Sequence, residues 1–236
     1  MTVLSSKNAS LNHHSRPLRD YILCLDLDGT LVDTAPDLVR VTNETIALEG
    51  LPETNFKTAR REVGYGSKRL IASSMERFGH SVSDERLTEL QKWFLNRYAE
   101  SLADHSRPFP GVVQTLKELR RGGATLTVCT NKPGYLARPL LEKLHLTSYF
   151  ANIVGGDEAP KAKPDRRHLL QAAGPNRLGK KIVMIGDSFP DIRAGHNAKV
   201  PTILMRYGYN PINAHRLRPT IALDNFRDIP KALTRL

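Results

Sequence analysis

The chain has 236 residues, 40% apolar and 25% charged, the composition of an ordinary soluble protein with enough length for one large core or two small ones. No apolar run approaches the ~20 residues of a membrane span, the N-terminal stretch lacks the apolar centre of a secretory leader, and the histidines show no paired spacing for zinc. The net charge of +11 is spread along the chain with no helix-turn-helix, zinc-finger or aromatic-rich signature, so no specific nucleic acid is expected; a diffuse positive field suits a small phosphorylated anion.

Residues 1–18 read as a flexible basic tail. A first strand near 21–26 is apolar and rich in residues that favour strands. The next strand comes only near 124–129. A simple crossover needs about a dozen residues, whereas over 70 lie between Thr34 and Arg107, enough for an inserted unit. Within it a helix should begin near Pro36, and another should run over 67–78. In a third, Leu87, Leu90, Phe94, Leu95, Tyr98 and Leu102 make one apolar face and Ser83 is the N-cap. Arg107-Pro108-Phe109-Pro110-Gly111 reads as a hinge back to the core. Helix 112–120, strand 124–129, helix 134–144, strand 152–155, helix 165–173, strand 181–186, a last strand near 201–205 and a short C-terminal helix follow. This alternation predicts an α/β fold with a doubly wound parallel sheet and a small inserted helical domain. The divisions are 19–34 and 108–236 for the core and 35–107 for the insert. Cys24 and Cys129 fall in buried strands, where they act as small core hydrophobes and suit a reducing cytoplasm.

Three apolar runs end in chemistry-bearing residues: Asp26-Leu27-Asp28-Gly29-Thr30, Thr130-Asn131-Lys132 and Gly186-Asp187-Ser188-Phe189-Pro190-Asp191. In open α/β sheets the ligand crevice lies beyond the carboxyl ends of the strands, so these segments should meet in one volume. Four carboxylates, from Asp26, Asp28, Asp187 and Asp191, would crowd there and call for a cation, and hard oxygen donors suit Mg²⁺. Asp26 and Asp28, at i and i+2 of a strand end, should share a face, one to attack and one to handle protons.

Asp26-Leu27-Asp28-Gly29-Thr30-Leu31-Val32-Asp33-Thr34 resembles the first motif of the haloacid dehalogenase superfamily of phosphatases. Thr130-Asn131-Lys132-Pro133 resembles its second, Lys163-Pro164 its third, and Gly186-Asp187-Ser188-x-x-Asp191 its fourth, in matching order over residues 21–210. The insert resembles that superfamily's α-helical cap. The resemblance implies Asp26 as nucleophile, forming an aspartyl-phosphate, and Asp28 as general acid and then base. It implies Thr130 and the Asn131 backbone as holders of the transferring oxygens, and Lys163 as neutraliser of their charge, with Lys161 as the nearby alternative. The metal ligands would be Asp26, the Asp28 carbonyl and Asp187, and Asp191 would orient Lys163 or a metal-bound water. One departure stands out: Asp165 is followed by Arg166-Arg167, where the family often has Lys-Pro-Asp-Pro. Because Asp28 is present, an oxygen leaving group can be protonated, so phosphate esters and not carbon–halogen bonds are the expected substrates.

Selectivity must come from the insert. Val63-Gly64-Tyr65-Gly66-Ser67-Lys68-Arg69 enters a helix, where backbone amides can face an anion. The loop resembles that of bacterial phosphoglycolate phosphatases, as do the segment from Thr130 to Leu141 and Tyr207-Gly208-Tyr209. Gly64, Gly66, Lys68 and Arg69 are thus candidates for the end of the substrate remote from phosphorus, which makes 2-phosphoglycolate the expected substrate. Sugar-phosphate, nucleotide or pyrophosphate hydrolysis, a β-phosphoglucomutase-like transfer, and a regulatory protein that binds without turnover are the alternatives. A cytoplasmic monomer or homodimer, away from membranes, is expected.

Overall fold

Tyr21–Leu25 forms strand β1, and all five residues are buried. A strand covered on both faces by helices reads as a continuous apolar run, which is what Tyr-Ile-Leu-Cys-Leu is. The structure is a computed structural model that describes residues 17–209 and 214–236. In chain order β2 (Val32–Asp33) follows, then helices α1 (Ala35–Ala47), α2 (Phe56–Arg60), α3 (Ser67–Glu76) and α4 (Asp84–Glu100), then β3 (Arg107–Pro108) and α5 (Val112–Arg121). The chain continues through β4 (Thr125–Cys129), α6 (Gly134–Lys143), β5 (Asn152–Val154), α7 (Arg166–Ala173), β6 (Lys181–Gly186), α8 (Phe189–Ala198) and β7 (Thr202–Met205). It closes with α9 (Ala214–Leu217), β8 (Ile221–Leu223) and α10 (Ile229–Leu233).

Six strands make one parallel sheet in the order β5-β4-β1-β6-β7-β8. β1 lies in the middle, with β4 on one side and β6 on the other, so the winding direction reverses at β1. That switch point is where an α/β sheet opens a crevice, and the loops after β1, β4 and β6 meet there. Alternate β1 residues face opposite sides. Leu23 and Leu25 join the larger core with Leu116 and Leu119 of α5, Leu140 of α6 and Ile229 of α10. Ile22 and Cys24 join the smaller one with Leu169 and Ala172 of α7 and Met184 of β6.

Between β2 and β3 the chain makes the helical insert, in which α1, α3 and α4 pack on one another. Leu90, Phe94 and Tyr98 of α4 are buried four residues apart, the spacing that stacks side chains on one helical face. Ser83 caps α4 by accepting from the Arg86 amide at 3.2 Å. The two crossings between core and insert, the second of them expected as a hinge, pair as a short antiparallel ribbon, Val32 with Pro108 and Asp33 with Arg107. Two further contacts brace it. Buried Asp37 in the first turn of α1 accepts from the Ser106 amide at 2.7 Å, the Ser106 hydroxyl at 2.6 Å and the His105 amide at 3.0 Å. The Tyr209 hydroxyl accepts from the amides of Thr34 and Ala35 at 2.6 and 3.0 Å and donates to Asp33 at 2.8 Å.

The expected tail at 1–18 lies outside the described residues except at its end. There Leu18 is tied down: its amide donates to the Gly122 carbonyl at 2.9 Å and its side chain packs on the core. Among the described residues no helix is long and apolar enough to cross a membrane.

Candidate active site

β1 stops at Leu25, and the chain turns at Asp26 over the switch point. Gly29 makes that turn possible with φ +86°, and a Cβ there would run into the Asp187 carboxylate. Gly208 approaches Asp187 from the other side just as closely.

Asp26, Asp187 and Asp191 each bring a carboxylate oxygen within 4.8 Å of the others, and all three are buried. Lys163, itself 4% exposed, lies among them. Its ammonium donates to Asp26 Oδ1 at 2.8 Å, Asp191 Oδ1 at 2.6 Å and the Cys129 carbonyl at 2.6 Å, which uses all three of its N–H groups. Burial works against that charge, but Asp191 and Asp26 outweigh it and hold the Lys163 pKa above its ordinary value. Burial, with the Asp191 charge next, pushes Asp26 up to about 7, against the pull of Lys163. The same two causes raise Asp187 well above the usual carboxylate range. Three carboxylates share one ammonium, so the crevice is short of positive charge. Asp187 is held by the Thr30 hydroxyl (3.1 Å) and the Tyr209 amide (2.7 Å), and Asp191 Oδ2 by the Ser188 amide (3.0 Å) and hydroxyl (2.5 Å). Asp26 keeps one oxygen without a hydrogen-bond partner among the described residues. A set of hard, pre-positioned oxygens with surplus negative charge fits a divalent cation.

The fourth carboxylate expected in this cluster is elsewhere. Asp28 lies beyond the end of β1, so the two-residue periodicity of a strand does not apply to it, and the turn sends its side chain to Thr34 and Lys132. Its Oδ1 accepts from the Thr34 hydroxyl at 2.7 Å and from the Lys132 ammonium at 3.2 Å. The two aspartates thus face one crevice from different places. That crevice has a volume of about 330 Å³, small for a ligand pocket, and Asp26, Asp28, Thr130, Asn131 and Lys132 line it on the core side.

Thr130 is buried and its hydroxyl accepts from the Lys132 amide at 3.1 Å. The Asn131 side chain clips the backbone of Lys163, accepting from its amide at 2.9 Å and donating to its carbonyl at 3.1 Å. Lys161 is exposed and Lys163 is the lysine that reaches Asp26. Behind Lys163, His168 is fully buried; its Nδ1 accepts from the Lys163 amide (3.2 Å), so Nε2 carries the proton toward the Val154 carbonyl (3.1 Å). Burial, with the Lys163 charge next, pulls its pKa down to about 4. The unfolded chain therefore binds the extra proton first, and the stability owed to neutral His168 is present above pH 6.5 and lost as pH falls toward 4. The loss between pH 7 and pH 5 should be about 2 kcal/mol. Urea unfolding at both pH values should show a drop that is smaller by that amount in His168→Gln; equal drops in the two proteins would refute the assignment.

The insert contributes Gly64, Gly66 and Lys68 to the lining, and a Cβ on Gly64 would sit 3.8 Å from Ser188 Cβ of the core. The loop amides expected to face an anion are partly spent. Those of Tyr65 and Gly66 close the turn onto the Glu62 and Val63 carbonyls. The Lys68 ammonium donates to the Thr88 hydroxyl at 3.2 Å, and Arg69 pairs with Glu76 at 3.4 Å outside the lining. Two residues with no role assigned from the sequence hold central places: Lys132, against Asp28, and Tyr209, between Asp187 and the crossing into α1. The signal for Lys132 was present in Thr130-Asn131-Lys132, but its contacts come from segments far along the chain.

A family model described as haloacid dehalogenase-like hydrolase matches residues 23–205. A phosphoglycolate phosphatase of Caulobacter vibrioides is 41% identical over 211 residues, covering 89% of each chain. One of Agrobacterium fabrum is 40% identical over 222 residues, covering 93% of this chain and 94% of its own. The crystal structure of a predicted phosphoglycolate phosphatase from Haemophilus somnus superposes with a TM-score of 0.81 at 29% identity, covering 91% of this chain and 97% of the other. With the parallel sheet, the motif order and these relatives in agreement, the chain belongs to the haloacid dehalogenase-like hydrolases and is a phosphatase of that family.

Proposed function

We propose that this protein hydrolyses 2-phosphoglycolate to glycolate and phosphate, with Mg²⁺ as cofactor and residues 35–107 acting as a cap over the crevice. The observation that carries the reading is the placement of Asp26 and Asp28 in one small crevice, the first paired with Lys163 and the second with Lys132. Asp26 attacks phosphorus through its free carboxylate oxygen, the bond to the ester oxygen breaks, and the leaving alkoxide takes a proton from Asp28. Asp28, now a base, takes a proton from water, whose oxygen attacks the aspartyl-phosphate, and phosphate leaves with the Asp26 carboxylate restored. Lys163 neutralises charge on the nucleophile and on the phosphoryl oxygens, while Thr130 and the Asn131 backbone hold those oxygens in place. Asp191 fixes Lys163. Mg²⁺ held by Asp26, Asp187 and the Asp28 carbonyl would supply the missing positive charge and keep both carboxylates ionised. The names of the relatives support phosphoglycolate as the substrate.

Phosphate release from 2-phosphoglycolate, glucose 6-phosphate, AMP and p-nitrophenyl phosphate tests the reading. We expect the highest kcat/KM for 2-phosphoglycolate, silence in EDTA and recovery on adding Mg²⁺. A panel in which 2-phosphoglycolate ranks no higher than the others overturns the substrate, and full activity in chelator overturns the metal.

A further inference from the structure

Lys163 and Lys132 are both buried lysines at the crevice, but they differ in how their donors are used. Each ammonium has three N–H groups. Those of Lys163 all find acceptors in the protein. The Lys132 ammonium donates to the Tyr98 hydroxyl at 2.9 Å and to the Asp28 carboxylate, whose oxygens lie at 3.2 and 3.3 Å. It sits 4.4 Å from the centre of the Tyr98 ring, whose face also favours a cation. The two contacts to Asp28 are long for a charged pair, whereas those of Lys163 are 2.6–2.8 Å. One Lys132 N–H can therefore turn to an incoming anion while the other keeps Asp28, on a side chain 4% exposed in the lining of the crevice.

Substrate geometry says what that donor faces. For Asp28 to protonate the leaving group, the ester oxygen must come within hydrogen-bond reach of its carboxyl. In a phosphoglycolate-like substrate a single methylene separates that oxygen from the carboxylate carbon. The carboxylate can therefore lie no farther from Asp28 than one hydrogen bond and a few covalent bonds, and Lys132 is the cation that the structure places against Asp28. Arg69 pairs with Glu76 outside the lining, whereas Lys68 lines the crevice from the insert with one bond, to Thr88, and is the competing cation. The lining there mixes apolar Leu38, Phe94, Leu95 and Leu136 with Ser67 and Gln91 of the insert. An anion placed in so enclosed a crevice gains more from one ammonium than it would in water.

We propose that Lys132, held by Tyr98 of the insert and Asp28 of the core, is the residue that receives the substrate's carboxylate and so sets the preference for small phosphorylated carboxylic acids. The proposal rests on 2-phosphoglycolate being the substrate. Its placement also ties selectivity to the insert, because the Tyr98 hydroxyl that fixes the ammonium belongs to α4.

The test compares kcat/KM for 2-phosphoglycolate with that for ethyl phosphate, which carries a methyl group where the other has a carboxylate. Lys132→Met should lower the ratio of the two about 10²-fold, the scale for losing one well-placed charged donor, with most of the change in KM for 2-phosphoglycolate. Lys132→Arg should restore part of the ratio. Tyr98→Phe, which keeps the ring and removes only the acceptor, should lower the ratio about tenfold and serves if Lys132→Met does not fold. Equal losses on both substrates in Lys132→Met would overturn the proposal and make Lys132 a partner of Asp28 alone. So would a ratio that collapses in Lys68→Met but not in Lys132→Met. A wild-type enzyme that does not prefer 2-phosphoglycolate over ethyl phosphate would instead bring down the substrate reading, and this proposal with it.

Discussion

Asp26→Asn should lower phosphate release by about 10⁴-fold or more while leaving the protein folded, since removal of a covalent nucleophile costs on that scale. The amide has the shape of the carboxylate and its oxygen can still accept from Lys163, which keeps Asp191 and the Cys129 carbonyl as partners. What is lost is the proposed nucleophile alone. Unfolding in urea should therefore shift little, and the variant should still bind substrate. A protein that folds, binds 2-phosphoglycolate and releases phosphate at a substantial fraction of the wild-type rate would rule out covalent catalysis through Asp26.

A different signature is expected at Lys163. Lys163→Met should lower both activity and stability, because in the proposed reaction the lysine neutralises a reacting group and in the fold it compensates buried charge. Its loss leaves Asp26 and Asp191 facing each other without an ammonium between them. Breaking a buried ion pair by removing one partner typically costs about 3–5 kcal/mol. The rate should fall about 10³-fold, the upper range for one donor to transition-state charge. Lys161→Met is the control: that side chain is exposed two positions away, and its loss should change neither quantity. If both variants behaved alike, Lys163 would not be the cation of the crevice.

Much of this architecture was legible in the sequence. The strands that build the crevice are continuous apolar runs because helices cover both faces, and each ends in a polar segment because the loops beyond face the ligand. The parts that escaped are short or depend on distant partners. β8 is three half-buried residues and β2 and β3 are two residues each, too brief for any periodicity to register. α8 was missed although Ser188-x-x-Asp191 opens it; an acidic side chain three residues after a serine, bonding back to it, is a helix-start signal. Lys132 and Tyr209 could not be placed locally, since one is positioned by Tyr98 and Asp28 and the other by Thr34 and Asp187. The Asp28 carboxylate stands apart from the three clustered ones because its strand ends three residues earlier, at Leu25.

The two cysteines in the central strands carry a consequence of their own. Both are fully buried, Cys24 in β1 and Cys129 at the end of β4. Burial pushes the Cys24 thiol up to about 12 and the Cys129 thiol well above its ordinary value. Thiolates react with alkylating and oxidising agents and thiols do so poorly, so the folded protein is silent toward both kinds of reagent. The strands that hold these groups lie at the centre of the sheet, where opening demands close to the full free energy of unfolding. The chain thus contains two internal reporters of its own global opening, and the rate at which a thiol reagent consumes them measures how often the sheet comes apart.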